Sequence, residues 1–172
     1  MVRFRKKSGY TLIELIVVIS IIGMLMAIAI PSFHNYERNS SVRSSAKALR
    51  SLFWDAQSIS LAPKKVEVTS YSVDIRKDWG NGDTIEIKDS QGESISGINL
   101  EKNIRIENVL LDNNVQNETL IISFLTGNKE GGSMDFDPPG RVLIITIGSS
   151  LSNLKYDIIL NSITNNISMR KL

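Results

Sequence analysis

Residues 15–30, LIVVISIIGMLMAIAI, hold no charged side chain. Carried back to Tyr10, the stretch is long enough to cross a bilayer, which takes about 20 helical residues. Past Pro31 the pattern changes from continuous to periodic. Val42, Ala46, Leu49, Phe53 and Ala56 recur at spacings of four, three, four and three, which is one face of an amphipathic helix. Arg43, Ser44, Lys47, Arg50 and Asp55 lie between them as the opposite, solvated face. A proline at 31 breaks or kinks a helix locally, yet the helical signal resumes beyond it. The signal stops at Ala62, ahead of Pro63, Lys64 and Lys65. One helix over 10–62 would span roughly 80 Å. A single domain needs far less, so half is expected in lipid and half packed on the domain downstream.

From Pro63 onward the runs shorten and alternate. Val66 and Val68 lead with a phase slip, a bulge or a turn, into Tyr71, Val73 and Ile75. Trp79-Gly80-Asn81-Gly82-Asp83 is a turn signal, followed by Ile85 and Ile87, and Asp89-Ser90-Gln91-Gly92 marks another turn. Further strands are expected over 104–110, 120–125, 142–147, 156–160 and 163–169. Seven or eight short strands after one long helix predict an α+β fold, the long N-terminal helix packing on a C-terminal antiparallel β-sheet domain. The expected division is 1–9 as a leader, 10–30 as a transmembrane half-helix, 31–62 as an amphipathic half-helix and 63–172 as an exported β-rich domain.

Charge adds an orientation. The 172 residues carry a formal net charge of +2. Arg3, Arg5, Lys6 and Lys7 all precede the apolar run, and the sixteen remaining basic side chains face eighteen acidic ones. The basic surplus is therefore that of a cytoplasmic anchor. No basic stripe with interleaved aromatics stands out downstream, so a nucleic-acid role is not favoured. A hydrophobic share of 42% suits a packed core, and the absence of cysteine excludes disulfides and thiolate chemistry.

Three readings of the N-terminus compete. Ala27-Ile28-Ala29 resembles an A-x-A peptidase site after a basic region, which would release a secreted β-rich binding domain. The run can instead be a simple uncleaved membrane anchor. The third reading uses Gly9 and Glu14. A carboxylate at the bilayer centre costs roughly 2.5–3.5 kcal/mol even on the mildest scale, so Glu14 needs a partner.

Lys7-Ser8-Gly9-Tyr10-Thr11-Leu12-Ile13-Glu14, with the apolar stretch behind it, resembles the prepilin leader of type IV pilins and type II secretion pseudopilins. The resemblance covers about the first 35 residues. Tyr10 stands where the family usually has phenylalanine, and Pro31 falls where these proteins carry a helix-breaking proline. The resemblance implies cleavage between Gly9 and Tyr10 by a membrane-bound prepilin peptidase, then N-methylation of Tyr10. A glycine lets the backbone approach a peptidase closely. It also implies that the Glu14 carboxylate neutralises the Tyr10 amine of a neighbouring subunit or its own, since a buried charge is tolerable only when paired. Gly23 and Ala27, four apart, can permit close helix packing. Phe136-Asp137-Pro138-Pro139-Gly140-Arg141 before the terminal strands resembles H-type minor pseudopilins and minor pilins, in which the helix packs on two small sheets.

These resemblances imply a structural, non-catalytic subunit of a type IV pilus or type II secretion filament, a minor pilin or pseudopilin ahead of a major one. Its partners would be the peptidase, other pilin or pseudopilin subunits and an inner-membrane assembly platform, with nucleic acid entering only through a DNA-uptake pilus. Its place would be the bacterial inner membrane, single-pass, N-terminus cytoplasmic and the C-terminal domain periplasmic or extracellular, and a filament after assembly. No cofactor or metal is expected. His34, the lone histidine, has no carboxylate set beside it by spacing and reads as an interface residue. Asp135 and Asp137 beside Gly131-Gly132 read as a solvated turn in preference to a calcium cage, which takes six or more oxygens.

Overall fold

The computed structural model describes residues 10–63, 67–80, 82–126 and 133–172, and of Pro31 its backbone. Gly9 and the rest of 1–9, Lys64, Lys65, Val66, Asn81, Gly131 and Gly132 lie outside the described residues. One helix, α1 (Leu12–Leu61), precedes ten strands among the described residues: β1 (Ser70–Ile75), β2 (Thr84–Asp89), β3 (Ser94–Asn99), β4 (Ile104–Leu111), β5 (Asn114–Val115), β6 (Leu120–Leu125), β7 (Met134–Asp137), β8 (Val142–Ser149), β9 (Ser152–Asn161) and β10 (Asn166–Lys171). The chain divides into two units, Met1–Glu37 and Arg38–Leu172.

In the first unit the helix is bare. Every large apolar side chain described from Leu12 to Phe33 is exposed, and the helix is long and apolar enough to cross a membrane. Pro31 lies inside α1, and the helix runs through it. Proline lacks the amide that would bond the carbonyl four residues back, and the flanking turns hold the helical path without that bond.

In the second unit α1 has one buried face. Val42, Ala46, Leu49, Phe53 and Ala56 are all fully buried, joined by Leu52. They form one core with inward side chains of both sheets, among them Val73, Ile87, Ile122, Phe124, Ile145 and Ile158. Burying side chains of this size contributes about 1.5–3 kcal/mol each, so the amphipathic half is held by packing.

The β domain consists of two five-stranded antiparallel sheets, ordered β3-β2-β1-β6-β7 and β10-β9-β8-β4-β5. Inward positions alternate as the sequence demands: Tyr71, Val73 and Ile75 in β1, and Leu120, Ile122 and Phe124 in β6, are buried. The turn after β1 ties the sheets together. The Asp78 amide donates to Ile106 O at 2.9 Å and the Ile106 amide donates to Trp79 O at 2.6 Å, while Gly80 bridges Arg105. A Cβ on Gly80 would meet Ile104 O and Arg105 Cβ at 2.6 Å, so only glycine fits there.

The strands read from alternation are present at 104–111, 120–125 and 142–149 with small extensions. Three strands lie outside the expected set. β3 is an exposed edge strand, β5 has two residues, and β7 is four residues long and flanked by residues that read as turn. The strand expected over 163–169 is corrected: Ile163 is exposed in the β9–β10 turn, and β10 begins at Asn166. Asn161 Oδ1 accepts the amides of Ile163 and Thr164 at 3.0 Å, which takes them out of the ladder.

Candidate functional site at the helix N-terminus

Thr11 immediately precedes α1, and its carbonyl accepts the first helical bond from the Leu15 amide at 3.3 Å. Three further contacts join it to Glu14. The Thr11 amide and the Thr11 hydroxyl each donate to Glu14 Oε2 at 2.8 Å, and the Glu14 amide donates to Thr11 Oγ1 at 3.3 Å. This is a reciprocal cap: two otherwise orphaned amides of the helix start are satisfied by the side chains of residues three apart. A carboxylate in the first turn also meets the positive end of the helix dipole.

The cap bears on the cost of Glu14. Its carboxylate already holds two hydrogen bonds from its own chain before any neighbour is considered, and Tyr10 next to it is 93% exposed. Treating Glu14 only as a charge awaiting an amine overlooks Thr11. The signal is present in the sequence as Thr11-x-x-Glu14 before an apolar run, the ordinary signature of a helix start. Further along, the Ser20 hydroxyl donates to Ile16 O at 2.8 Å, so its polarity is absorbed within the apolar helix. A Cβ on Gly23 would meet nothing within 4 Å.

The remaining candidates separate in space or in chemistry. His34 Nδ1 lies 3.8 Å from Glu37 Oε2, with both side chains exposed. The expectation that no carboxylate stands beside His34 is thus corrected, since a spacing of three on a helix brings side chains together. Asp135 and Asp137 point outward from β7, and Asp135 Oδ1 accepts the Phe136 amide at 3.0 Å. Among the described residues no three His, Cys, Asp or Glu side chains are grouped to hold a metal ion. The Asp137–Pro138 peptide is cis.

Residues 4–30 match the family model described as the prokaryotic N-terminal methylation motif. A "Fimbrial protein" of Pseudomonas aeruginosa is 34% identical over 76 residues, which is 44% of this chain and 49% of that protein. A "Type IV major fimbrial protein FimA" of Dichelobacter nodosus is 56% identical over 36 residues, 21% of this chain and 23% of that one. The chain thus spans about half the length of the first of these relatives and less than a quarter of the second. No solved structure matches. By the methylation motif over residues 4–30, set on the capped start of an apolar helix ahead of an α+β domain, the chain is similar to the fimbrial proteins of type IV pili.

Proposed function

We propose that the chain is a structural, non-catalytic subunit of a type IV pilus or a related secretion filament. The observation that carries this reading is the methylation motif over residues 4–30, which takes in the capped start of α1 and its uncovered apolar run. A prepilin peptidase would cut between Gly9 and Tyr10, and the new amine on Tyr10 would be methylated. The subunit would wait in the inner membrane with its N-terminus cytoplasmic and residues 63–172 outside. Assembly would bury the bare apolar side chains between like helices, driven by close packing and by satisfied polar groups. Glu14 would then exchange its Thr11 bonds for the Tyr10 amine or share the carboxylate between them.

Release by cleavage after Ala29 fits less well. That bond lies within α1, which runs on unbroken to Leu61, so the cut would fall in the middle of a continuous helix.

Within this class we favour a minor pilin or pseudopilin. The cysteine-free chain and the Phe136–Arg141 segment before β8, β9 and β10 support that assignment. The relative named as a major fimbrial protein is matched over only 36 residues, less than a quarter of either chain.

The deciding experiment is the mature N-terminus, by intact mass and N-terminal peptide sequencing from a host with a prepilin peptidase. The expected product starts at methylated Tyr10. A product starting at Ile30 would mean a secreted domain, and an intact Met1 a plain anchor.

A further inference from the structure

Arg43, Lys47, Arg50 and Trp54 recur at spacings of four, three and four, which sets them on one face of α1, away from the buried face of Val42, Ala46, Leu49 and Phe53. Arg43, Lys47 and Trp54 are exposed and Arg50 is half-buried. The Arg50 guanidinium stacks 4.8 Å from the centre of the Trp54 ring, and its Nε is buried with no hydrogen-bond acceptor. Among the described residues no carboxylate, Asp55 included, lies within salt-bridge distance of the three cations.

The outward face of the first sheet has the opposite character. Asp74 of β1, Glu86 of β2, and Asp135 and Asp137 of β7 alternate with buried neighbours and point away from the core. The pairing of Ser123 with Asp135 and of Ile121 with Asp137 and Asp74 sets three of these carboxylates in adjoining rows. The only lysine on these strands, Lys88, is engaged with Asp74 at 3.4 Å. Glu86, Asp135 and Asp137 have no cationic partner among the described residues.

Both faces point away from the same core, so within one chain they cannot meet. We propose that the Arg43–Lys47–Arg50–Trp54 face of one copy docks on the acidic outer sheet face, Glu86, Asp135 and Asp137, of a second copy. The contact joins two different surfaces, so it is heterologous and repeats without closing unless its rotation closes a ring. Rim charges of this kind steer and orient more than they bind. The proposal rests on the reading of the chain as a self-assembling subunit, and it names the surfaces through which the exported domains would meet.

The chain has no cysteine, so engineered cysteines report alone. Full-length Ser51→Cys and Ser123→Cys variants are co-expressed with the processing and assembly machinery, and cross-linking is read after mild oxidation. The expected result is a disulfide between residue 51 of one copy and residue 123 of another. It is lost in the Arg43→Glu/Lys47→Glu background and restored when the partner copy carries Asp135→Lys/Asp137→Lys. Filaments containing the chain with only 51–51 disulfides, or with none, would overturn the contact and leave the filament reading standing. Absence of both filaments and cross-link would overturn both. Charge-dependent retention of a single-stranded DNA oligonucleotide by the full-length chain, without the 51–123 disulfide, would reassign the stripe to nucleic acid.

Discussion

At the scale of single residues the Thr11–Glu14 pair has two jobs to divide. An N-cap threonine contributes about 1 kcal/mol to its helix, and Glu14 adds both a second capping bond and a charge suited to an amine. The two roles are separable by substitution. Glu14→Ala is expected to be cleaved normally, because the peptidase would act on the Gly9–Tyr10 bond, but to enter filaments poorly. Glu14→Gln keeps an acceptor for the Thr11 amide while losing the charge. If capping alone mattered, Glu14→Gln would assemble as the parent does; if the amine is the partner, it would fail like Glu14→Ala. Immunoblots of sheared filaments against membrane fractions read the difference, and normal incorporation of Glu14→Ala would end the pairing account.

At the scale of elements the turn between β1 and β2 is the joint between the sheets. Gly80 lies against the β4 backbone, and an added methyl would press on Ile104 O and Arg105 Cα, which no side-chain rotation relieves. Gly80→Ala is expected to destabilise the domain by about 1–3 kcal/mol and to raise hydrogen exchange at the Asp78 and Ile106 amides, which bond across the joint. Unchanged protection there would show that the joint adapts. The last three strands are tied differently. Asp157, buried in β9, accepts the Thr146 hydroxyl from β8 and Arg170 Nη2 from β10, each at 2.8 Å. Asp157→Leu leaves the Thr146 hydroxyl without its acceptor, at a cost of about 1–3 kcal/mol, measured by the urea midpoint of the detergent-solubilised chain.

At the scale of the whole molecule the two units obey different physics. The first is bare helix whose apolar surface suits lipid or other helices; the second closes its own core. Processing should therefore be indifferent to the second. Phe53→Ala, which empties a fully buried site, is expected to cost about 3–5 kcal/mol while cleavage after Gly9 proceeds at the parental rate. Urea unfolding and pulse-labelled mass shifts measure the two effects, and slowed cleavage would mean that the peptidase senses the folded domain.

The residues themselves determined whatever depends on near neighbours in the chain. The apolar run, the 42–56 helical face and the strongly alternating strands are set by periods of 3.6 and 2, and the leader motif is a contiguous string that binding to one peptidase would read. The Thr11–Glu14 cap and the His34–Glu37 contact are equally local, visible as spacings of three. Three features depended on contacts distant in sequence. β3 exists because β2 offers it a ladder, as Ile85 pairs with Ile98, although of β3's own side chains only Ile98 is partly buried against the core. Alternation says which side chains face inward but not which core they enter, so only the folded chain sorts ten strands into two sheets, with β6 returning beside β1. The charged faces arise last, from folding: Asp74 and Asp137 are 63 positions apart in the chain, and antiparallel pairing through Ile121 brings them onto one surface.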